Sequence, residues 1–147
     1  MKQHQKKFLA KFSGDPKLLG EFVSDEDYGV RELVASNPNI TKEHLDKLVK
    51  DPSKWVKRAV ASNPNAEKKH LDKLMDDEIF SVKIAVASSP NASKEHLDKL
   101  VGDESDFVRS AVTKNPNASK EHLDKLVGDE SDFVSKAAKE QLKKRFP

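Results

Sequence analysis

The chain has 147 residues, of which 35% are apolar and 35% are charged, and its formal net charge is +2. Ordinary globular chains are about 45–50% apolar with glycine included and about 25% charged, so this composition argues against one thick hydrophobic core and favours an elongated one. The absence of cysteine excludes disulfides, thiolate metal sites and a cysteine nucleophile. No apolar run approaches the roughly 20 residues that span a bilayer, and no signal-peptide core is present, so we expect a cytoplasmic protein without membrane contact.

An internal repeat with a period of 26 residues runs along the chain. The triplet Asn-Pro-Asn recurs at this step, with Ser replacing its first Asn once, at 37–39, 63–65, 89–91 and 115–117. The segment PNASKEHLDKLVGDESDFV occurs twice unchanged, at 90–108 and 116–134, which indicates a recent duplication. A fixed period of this kind is typical of repeat proteins. The chain therefore divides into five predicted units of one domain, at 15–40, 41–66, 67–92, 93–118 and 119–147.

The two ends of the chain predict capping helices with polar outer faces, which the ends of a repeat stack require. Residues 1–14 form the first, in which four lysines surround Phe8, Leu9 and Phe12. The last helix lacks the Asn-Pro-Asn stop and is extended through Leu142 to the basic run 143–145.

Each unit predicts two short helices. The first helix starts at a residue that is in most cases a good N-cap, namely Asp15, Thr41, Glu67, Ser93 or Ser119, and Pro16 suits the first helical position. Its apolar residues recur at i, i+3 and i+4, as in Leu45, Leu48 and Val49, which places them on one helical face.

The second helix carries the same spacing at Val56, Ala59 and Val60, and it must end near Asn63 because a proline follows. Helices this short cannot bury their apolar faces alone, whereas stacked units cover one another. The sequence therefore predicts an all-α solenoid, with the small Ala59, Ala85 and Ala111 allowing the second helices to approach closely.

The string DPSKWVKRAVASNPNAEKKHLDKL at 51–74 resembles the leucine-rich repeat variant family, whose units read as an acidic turn, V-R-x-A-V-A, N-P and a leucine-containing helix. The resemblance covers about 15–138. It implies a right-handed superhelix similar to those of HEAT and armadillo repeats. In some members of the family one helix of each pair is 3₁₀, so the resemblance implies that the second helix of each pair is partly 3₁₀ here. The iron–sulfur domain of other members needs cysteine, which this chain lacks.

A histidine recurs at the third position of the first helices, at His44, His70, His96 and His122. A metal site would need several imidazoles within about 2.1 Å of one ion, and neighbouring units are much farther apart than that. We therefore expect no metal site. The imidazoles are expected to hydrogen-bond the start of their helices and to pack on the leucine stripe.

An acidic and a basic residue also recur six positions apart in four units: Asp25 and Arg31, Asp51 and Lys57, Asp77 and Lys83, Asp103 and Arg109. The spacing resembles the Asp/Arg ladder of HEAT repeats, in which a turn carboxylate bridges to the basic side chain of an adjacent unit. The alternative is a phosphate-binding track. The last unit pairs Asp129 with Ser135, where no further unit needs a bridge, and this favours the structural ladder.

Two further sets of recurring residues have structural interpretations. The turn asparagines are expected to satisfy backbone groups and to tolerate a left-handed φ at the Pro-Asn corner. One aromatic ring per unit, at Tyr28, Trp55, Phe80, Phe107 and Phe133, is expected to close the edge of the core. Trp55 is the only indole and the best candidate for a binding anchor.

The outward side of the second helices is the predicted binding surface. Residues that lie 26 positions apart line up in a column along the stack. The first column of this surface, at Glu32, Arg58, Ile84, Ser110 and Lys136, holds a different residue in every unit. Two columns beside it begin at Ala35 and Ser36 and end at Lys139 and Glu140. The candidate partner-binding residues are Trp55, Arg58, Ile84, Lys114, Lys136 and Lys139.

These patterns favour a monomeric, non-enzymatic scaffold that binds a protein or peptide on its concave surface. No P-loop, dinucleotide fingerprint, H-E-x-x-H or nucleophile elbow occurs, so we expect no catalytic residue, cofactor or metal. Residues 1–14 and 135–147 each carry a charge of +4, which leaves −6 for 15–134 and weakens a nucleic-acid interpretation. That alternative, a HEAT-like nucleic-acid-associated protein, would use Arg58, Lys114, Lys136 and Lys139. A third alternative is a structural fragment of a larger repeat protein.

Overall fold

The computed structural model describes all 147 residues as eleven α-helices joined by short turns. It contains no β-strand, which confirms the all-α class. Each of the five predicted units holds two helices, and one further helix precedes them. The helices are α1 (Gln3–Phe12), α2 (Pro16–Phe22), α3 (Tyr28–Ser36), α4 (Lys42–Leu48), α5 (Lys54–Ser62), α6 (Lys68–Met75), α7 (Phe80–Ala87), α8 (Lys94–Leu100), α9 (Asp106–Lys114), α10 (Lys120–Val127) and α11 (Asp132–Arg145).

The helices form two rows. Helices α1, α3, α5, α7, α9 and α11 pack each against the next, whereas the even-numbered helices pack mainly against this odd-numbered row and little against one another. Each unit contributes one helix to each row, so a difference in spacing between the rows bends the stack. The more closely spaced row lies on the inner side of this bend. The odd-numbered helices therefore form the concave face of an α-solenoid, which confirms the predicted architecture, and α1 stands at the head of that row.

The ends of the helices follow the local sequence signals. The first helices begin directly after Asp15, Thr41, Glu67, Ser93 and Ser119, as predicted. The carboxylate of Asp15 accepts a hydrogen bond from the Lys17 N–H at 2.9 Å, and Pro16 occupies the first helical position. The second helix α5 ends at Ser62, with Asn63 as its extended C-cap before Pro64.

The second helices are α-helical over their whole lengths, so the 3₁₀ component implied by the resemblance is wrong. The physical reason lies in the spacing of their apolar residues. Val56 and Val60 are both fully buried at i and i+4, a pair that faces one way only at the α-helical period of 3.6 residues. A 3₁₀ turn would rotate one of them away from the core.

The core is one continuous ribbon rather than five separate clusters. Thirty-two buried residues form a single contact cluster that runs from Ala10 to Ala138. It includes one leucine from each of the first four first helices, at Leu19, Leu45, Leu71 and Leu97, all with no exposed surface. Small Ala59 and Ala85 lie between the inner helices with less than a tenth of their surface exposed.

The turn asparagines link each unit to the one before it. The Asn63 side-chain amide donates to the Ala35 carbonyl at 2.7 Å and to the Asn37 carbonyl at 3.1 Å. The Oδ1 atom of the same Asn63 accepts from the Asn65 N–H at 2.8 Å, which closes its own turn. No residue of the chain has a positive φ, so the expectation of a left-handed corner is wrong: Asn is required here for its amide, not for its backbone freedom.

The last helix satisfies the turn of the fourth unit with an arginine instead of an asparagine. The Arg145 guanidinium donates to the carbonyls of Pro116 at 3.0 Å and Ala118 at 2.7 Å. In the middle of the stack, the equivalent carbonyls of Pro90 and Ala92 accept from Asn117. One arginine at the end of α11 thus takes the place of the turn asparagine that the fifth unit lacks, since the equivalent position is Lys143.

Position 89 is the one place where Ser interrupts the asparagine column, and it provides a stability test. The Ser89 hydroxyl accepts from the Asn91 N–H at 3.2 Å but is too short to reach the preceding turn as Asn63 does. We expect Ser89→Asn to raise the free energy of unfolding by about 1 kcal/mol, and Asn115→Ala to lower it by about 1–3 kcal/mol because it leaves buried carbonyls unsatisfied. Urea unfolding followed by circular dichroism measures both, and a neutral Asn115→Ala would contradict the linking role.

Candidate functional site

The recurring acidic and basic residues form ion pairs between units. Arg31 donates to both carboxylate oxygens of Asp51, at 2.7 and 3.1 Å. The carboxylate that Arg31 binds therefore belongs to the next unit, 20 residues later. The guanidinium groups of Arg31 and Arg109 also donate to the backbone carbonyls of Asp25 and Asp103, six residues earlier. The same 20-residue spacing holds for Lys57–Asp77 at 2.7 Å, Lys83–Asp103 at 3.0 Å and Arg109–Asp129 at 2.7 Å. Lys6–Asp25, at 2.7 Å and a spacing of 19 residues, links α1 to the first unit.

These pairs leave little basic surface for a phosphate. The side chains of Lys57, Lys83 and Arg109 are at most 22% exposed, and their charged atoms are bound to carboxylates. The Arg109 guanidinium, which donates to Asp129, holds the pKa of that carboxyl below its usual range against the opposing effect of burial. A track of free cations is therefore absent from this edge of the solenoid.

The histidines form a second set of links between units. In His70, Nδ1 accepts from the Glu67 N–H at 2.9 Å, so Nε2 carries the proton and donates to Asp46 at 2.7 Å. His96 and His122 repeat both contacts with Asp72 and Asp98. All three rings are about 1% exposed, and no group of three His, Asp or Glu side chains comes together to hold a metal ion.

The carboxylate partner of the histidines escaped sequence reasoning. The signal was present in the repeated string HLDK. Its aspartate lies two residues after one histidine and 24 residues before the next. The exception is His44, whose expected partner position is occupied by Gly20. A Cβ atom there would lie 2.7 Å from the His44 ring, and Nδ1 of His44 has no hydrogen-bond partner.

A groove of about 400 Å³ lies on the concave face across α3, α5 and α7. It brings together three of the six predicted partner-binding residues, Trp55, Arg58 and Ile84. The Arg58 guanidinium lies 5.0 Å from the centre of the Trp55 ring, and the indole remains 43% exposed. The rest of the lining is small or hydroxylic apart from one acid, and comprises Glu32, Ser36, Ala59, Ser62, Ser81, Ala85 and Ser88.

The other three predicted residues divide between two surfaces. Lys114 and Lys136 are exposed and occupy the positions equivalent to groove residues Ser88 and Ile84. Lys139 belongs to a different column, which was predicted to be outward-facing and is in fact fully buried in the preceding units at Ala35, Ala61, Ala87 and Thr113. These positions turn towards the neighbouring unit, so Lys139 is exposed at the open end of the stack rather than in the groove.

The aromatic residues do not close the core, and this prediction is wrong. Tyr28, Trp55, Phe80, Phe107 and Phe133 are between 43% and 58% exposed. They lie in the first turn of their helices, where side chains point back towards the helix start and away from the apolar residues of the later turns. Phe107 lies 6.1 Å from Phe80 and 5.8 Å from Phe133, measured between ring centres.

The fold and this surface together define an α-solenoid repeat protein. No family model and no curated protein matches the sequence. A solved structure described as a leucine-rich repeat variant with a novel repetitive protein structural motif matches with a TM-score of 0.74 at 25% identity. The match covers 96% of this chain and 56% of that one, so this chain spans a little over half the length of its structural relative.

The similarity to a leucine-rich repeat variant confirms the resemblance inferred from residues 51–74. It supports the repeat architecture and carries no ligand or activity with it. The helices of this chain are also too short or too polar for any of them to cross a membrane.

The lowered pKa of Asp129 makes the Arg109 pair sensitive to acid. A carboxyl with a lower pKa in the folded than in the unfolded chain contributes stability above the unfolded value of about 3.9, and that contribution is lost as the pH falls through the folded value. We expect Asp129→Asn to lower the free energy of unfolding by about 1–3 kcal/mol at pH 7. The difference from the unsubstituted protein should shrink towards pH 2, as urea unfolding at several pH values would measure. Asp132→Asn, at an exposed aspartate without an ion pair, is the control, and a difference that does not change with pH would contradict the assignment.

Proposed function

We propose that the protein is a non-enzymatic scaffold that binds a protein or peptide partner on its concave face. The observation that carries the proposal is the groove across α3, α5 and α7, where Trp55, Arg58 and Ile84 converge. The surrounding framework repeats from unit to unit, whereas the column through Arg58 and Ile84 holds a different residue in every unit. Variation on an exposed column is what a partner-specific surface requires.

The chemistry of the groove suits a peptide. Tryptophan and arginine are the residues that most often dominate binding energy at protein interfaces. Ser36, Ser62 and Ser88 add hydroxyl groups along the floor. Glu32 and Arg58 are the only charged residues that line the groove, an arrangement better suited to orienting a ligand than to acid–base chemistry. We place this scaffold in the cytoplasm, as the composition predicts, and we expect it to be a monomer.

The nucleic-acid alternative depends on Lys114 and Lys136, which are exposed on the continuation of the same face. The two lysines form no ion pair, unlike the basic residues of the ladder. Lys114 lies within residues 15–134, whose net charge is −6, and only Lys136 lies outside them. Phosphate binding depends on many such contacts, so we rank this function second.

Selection from a random peptide library on the immobilised protein tests the first proposal. We expect selected peptides to bind the unsubstituted protein and to lose about tenfold in affinity for Arg58→Glu, because a charge of the wrong sign enters the groove and the contact with Trp55 is lost. Lys73→Glu makes the same charge change on α6 of the outer row and should leave affinity unchanged. Equal losses in both variants, or no enriched peptide, would reject the groove as the binding site.

Titration of labelled single-stranded and duplex DNA and RNA at several salt concentrations tests the alternative. True phosphate binding must weaken steeply with salt and must fall further in a Lys114→Ala/Lys136→Ala variant. We expect no binding at about 50 mM salt, where electrostatic attraction is only weakly screened. Tight, salt-dependent binding would reverse the order of the two functions.

A further inference from the structure

Three exposed phenyl rings run in a row along one side of the concave face. Phe80, Phe107 and Phe133, here called the phenyl stripe, are 51%, 58% and 44% exposed. Their ring centres are 6.1 and 5.8 Å apart, so they form one uninterrupted apolar strip across α7, α9 and α11. Isolated exposed apolar residues are ordinary, whereas a contiguous strip marks an interaction surface.

The phenyl stripe continues an edge of the groove. Trp55 and Ser81 line the groove from the first turns of α5 and α7. Phe107 and Phe133 lie one and two repeat periods after Ser81, and therefore at the equivalent places on α9 and α11. A ligand that leaves the groove towards the C-terminus along this edge meets these rings next.

Carboxylates border the phenyl stripe. Asp106 and Asp132 directly precede Phe107 and Phe133, and three glutamates lie in the turns before α7, α9 and α11, at Glu78, Glu104 and Glu130. None of the five takes part in an ion pair within 4.0 Å, although most other aspartates of the chain are paired. These five carboxylates lie next to the three rings along the chain and outnumber the exposed Lys136, which lies three residues after Phe133.

Trp55 indicates what this arrangement accepts. Lys54 and Arg58 place their charged groups 5.2 and 5.0 Å from the centre of the indole, so the chain itself supplies cations to that ring. The positions equivalent to Lys54 in the last two units are Asp106 and Asp132. Beside Phe107 and Phe133, the lysine is therefore replaced by an aspartate, and no Lys or Arg of the chain lies over either ring.

We propose that the phenyl stripe binds an extended cationic segment of the partner protein, with Arg or Lys at alternate positions. Alternate side chains of an extended chain are about 6.6 Å apart on one face, close to the spacing of the three rings. Each cation lies over a phenyl ring, and the bordering carboxylates neutralise its charge. The inference rests on the proposed concave-face binding and adds the chemistry and spacing of the ligand.

Fluorescence anisotropy with labelled heptapeptides tests this proposal. The probes are the alternating Arg-Ser-Arg-Ser-Arg-Ser-Arg, the block Arg-Arg-Arg-Arg-Ser-Ser-Ser of equal charge, and the alternating peptide with Glu in place of Arg. We expect the alternating arginine peptide to bind most tightly and the glutamate peptide not to bind. Phe107→Ala/Phe133→Ala should weaken the alternating peptide about three- to tenfold.

The N-terminal helix supplies the matched control. Phe8 and Phe12 are each 62% exposed with ring centres 5.0 Å apart, but lie on α1 at the opposite end of the stack. Phe8→Ala/Phe12→Ala should leave the affinity unchanged. Asp106→Asn/Asp132→Asn should weaken binding, and more so at low salt. If the alanine variant of the stripe does not fold, Phe107→Leu/Phe133→Leu keeps the apolar bulk and should still weaken binding because the aromatic faces are lost.

Other results overturn the inference. Equal affinity for the alternating and block peptides would show attraction by overall charge, and unchanged affinity in the stripe variants would show a different site. A change in sedimentation coefficient of the stripe variants without a change in peptide affinity would assign the rings to self-association. If library peptides bind through Arg58 while the arginine peptides do not bind, only this inference fails. If neither class binds, the proposed function fails with it.

Discussion

The turns of this protein present carbonyl oxygens that the next unit along the chain satisfies. The amide of Asn63 reaches back to Ala35 and Asn37, and Asn117 does the same for Pro90 and Ala92. A buried carbonyl without a partner costs more than an ordinary hydrogen bond contributes, so this contact controls the stacking distance and register of the units. Burial of the leucine ribbon supplies the driving force, and the asparagine amides make the packing specific.

The ion pairs of the chain differ in strength. The Arg31–Asp51 and Arg109–Asp129 pairs between units are bidentate and largely buried, whereas the pairs of Lys68 with Asp72 and of Lys94 with Asp98 lie within single helices, are exposed and contribute little. The histidine rings connect the first helices to one another. All these contacts lie at the turns, between units or on the outer row, which leaves the outward face of the inner row free to vary without loss of stability.

Much of the scaffold was predictable from residue spacing alone. The Leu45, Leu48 and Val49 pattern predicted the first helices, and Pro64 predicted where α5 ends, because both effects act over a few neighbouring residues. The roles of Trp55, Arg58 and Ile84 were predicted only as positions on a face. Their convergence in one groove depends on the distance between inner helices, which the sequence does not state. Hydrophobicity alone predicts that the aromatic rings are buried in the core. They are exposed because a side chain in the first turn of a helix points back towards the helix start.

The sequence by itself determined the period, the number of units, the helix boundaries and the absence of any cysteine chemistry, since each is a local or counted property of the chain. Tertiary structure alone decided which partners the recurring side chains find. Asp46 meets His70, Arg31 meets Asp51 in the following unit, Ala35 faces inwards, and Phe80, Phe107 and Phe133 meet on the surface. The reason is geometric: a repeat tells which residues are equivalent, but only the rotation and spacing between stacked units determine which of them come into contact.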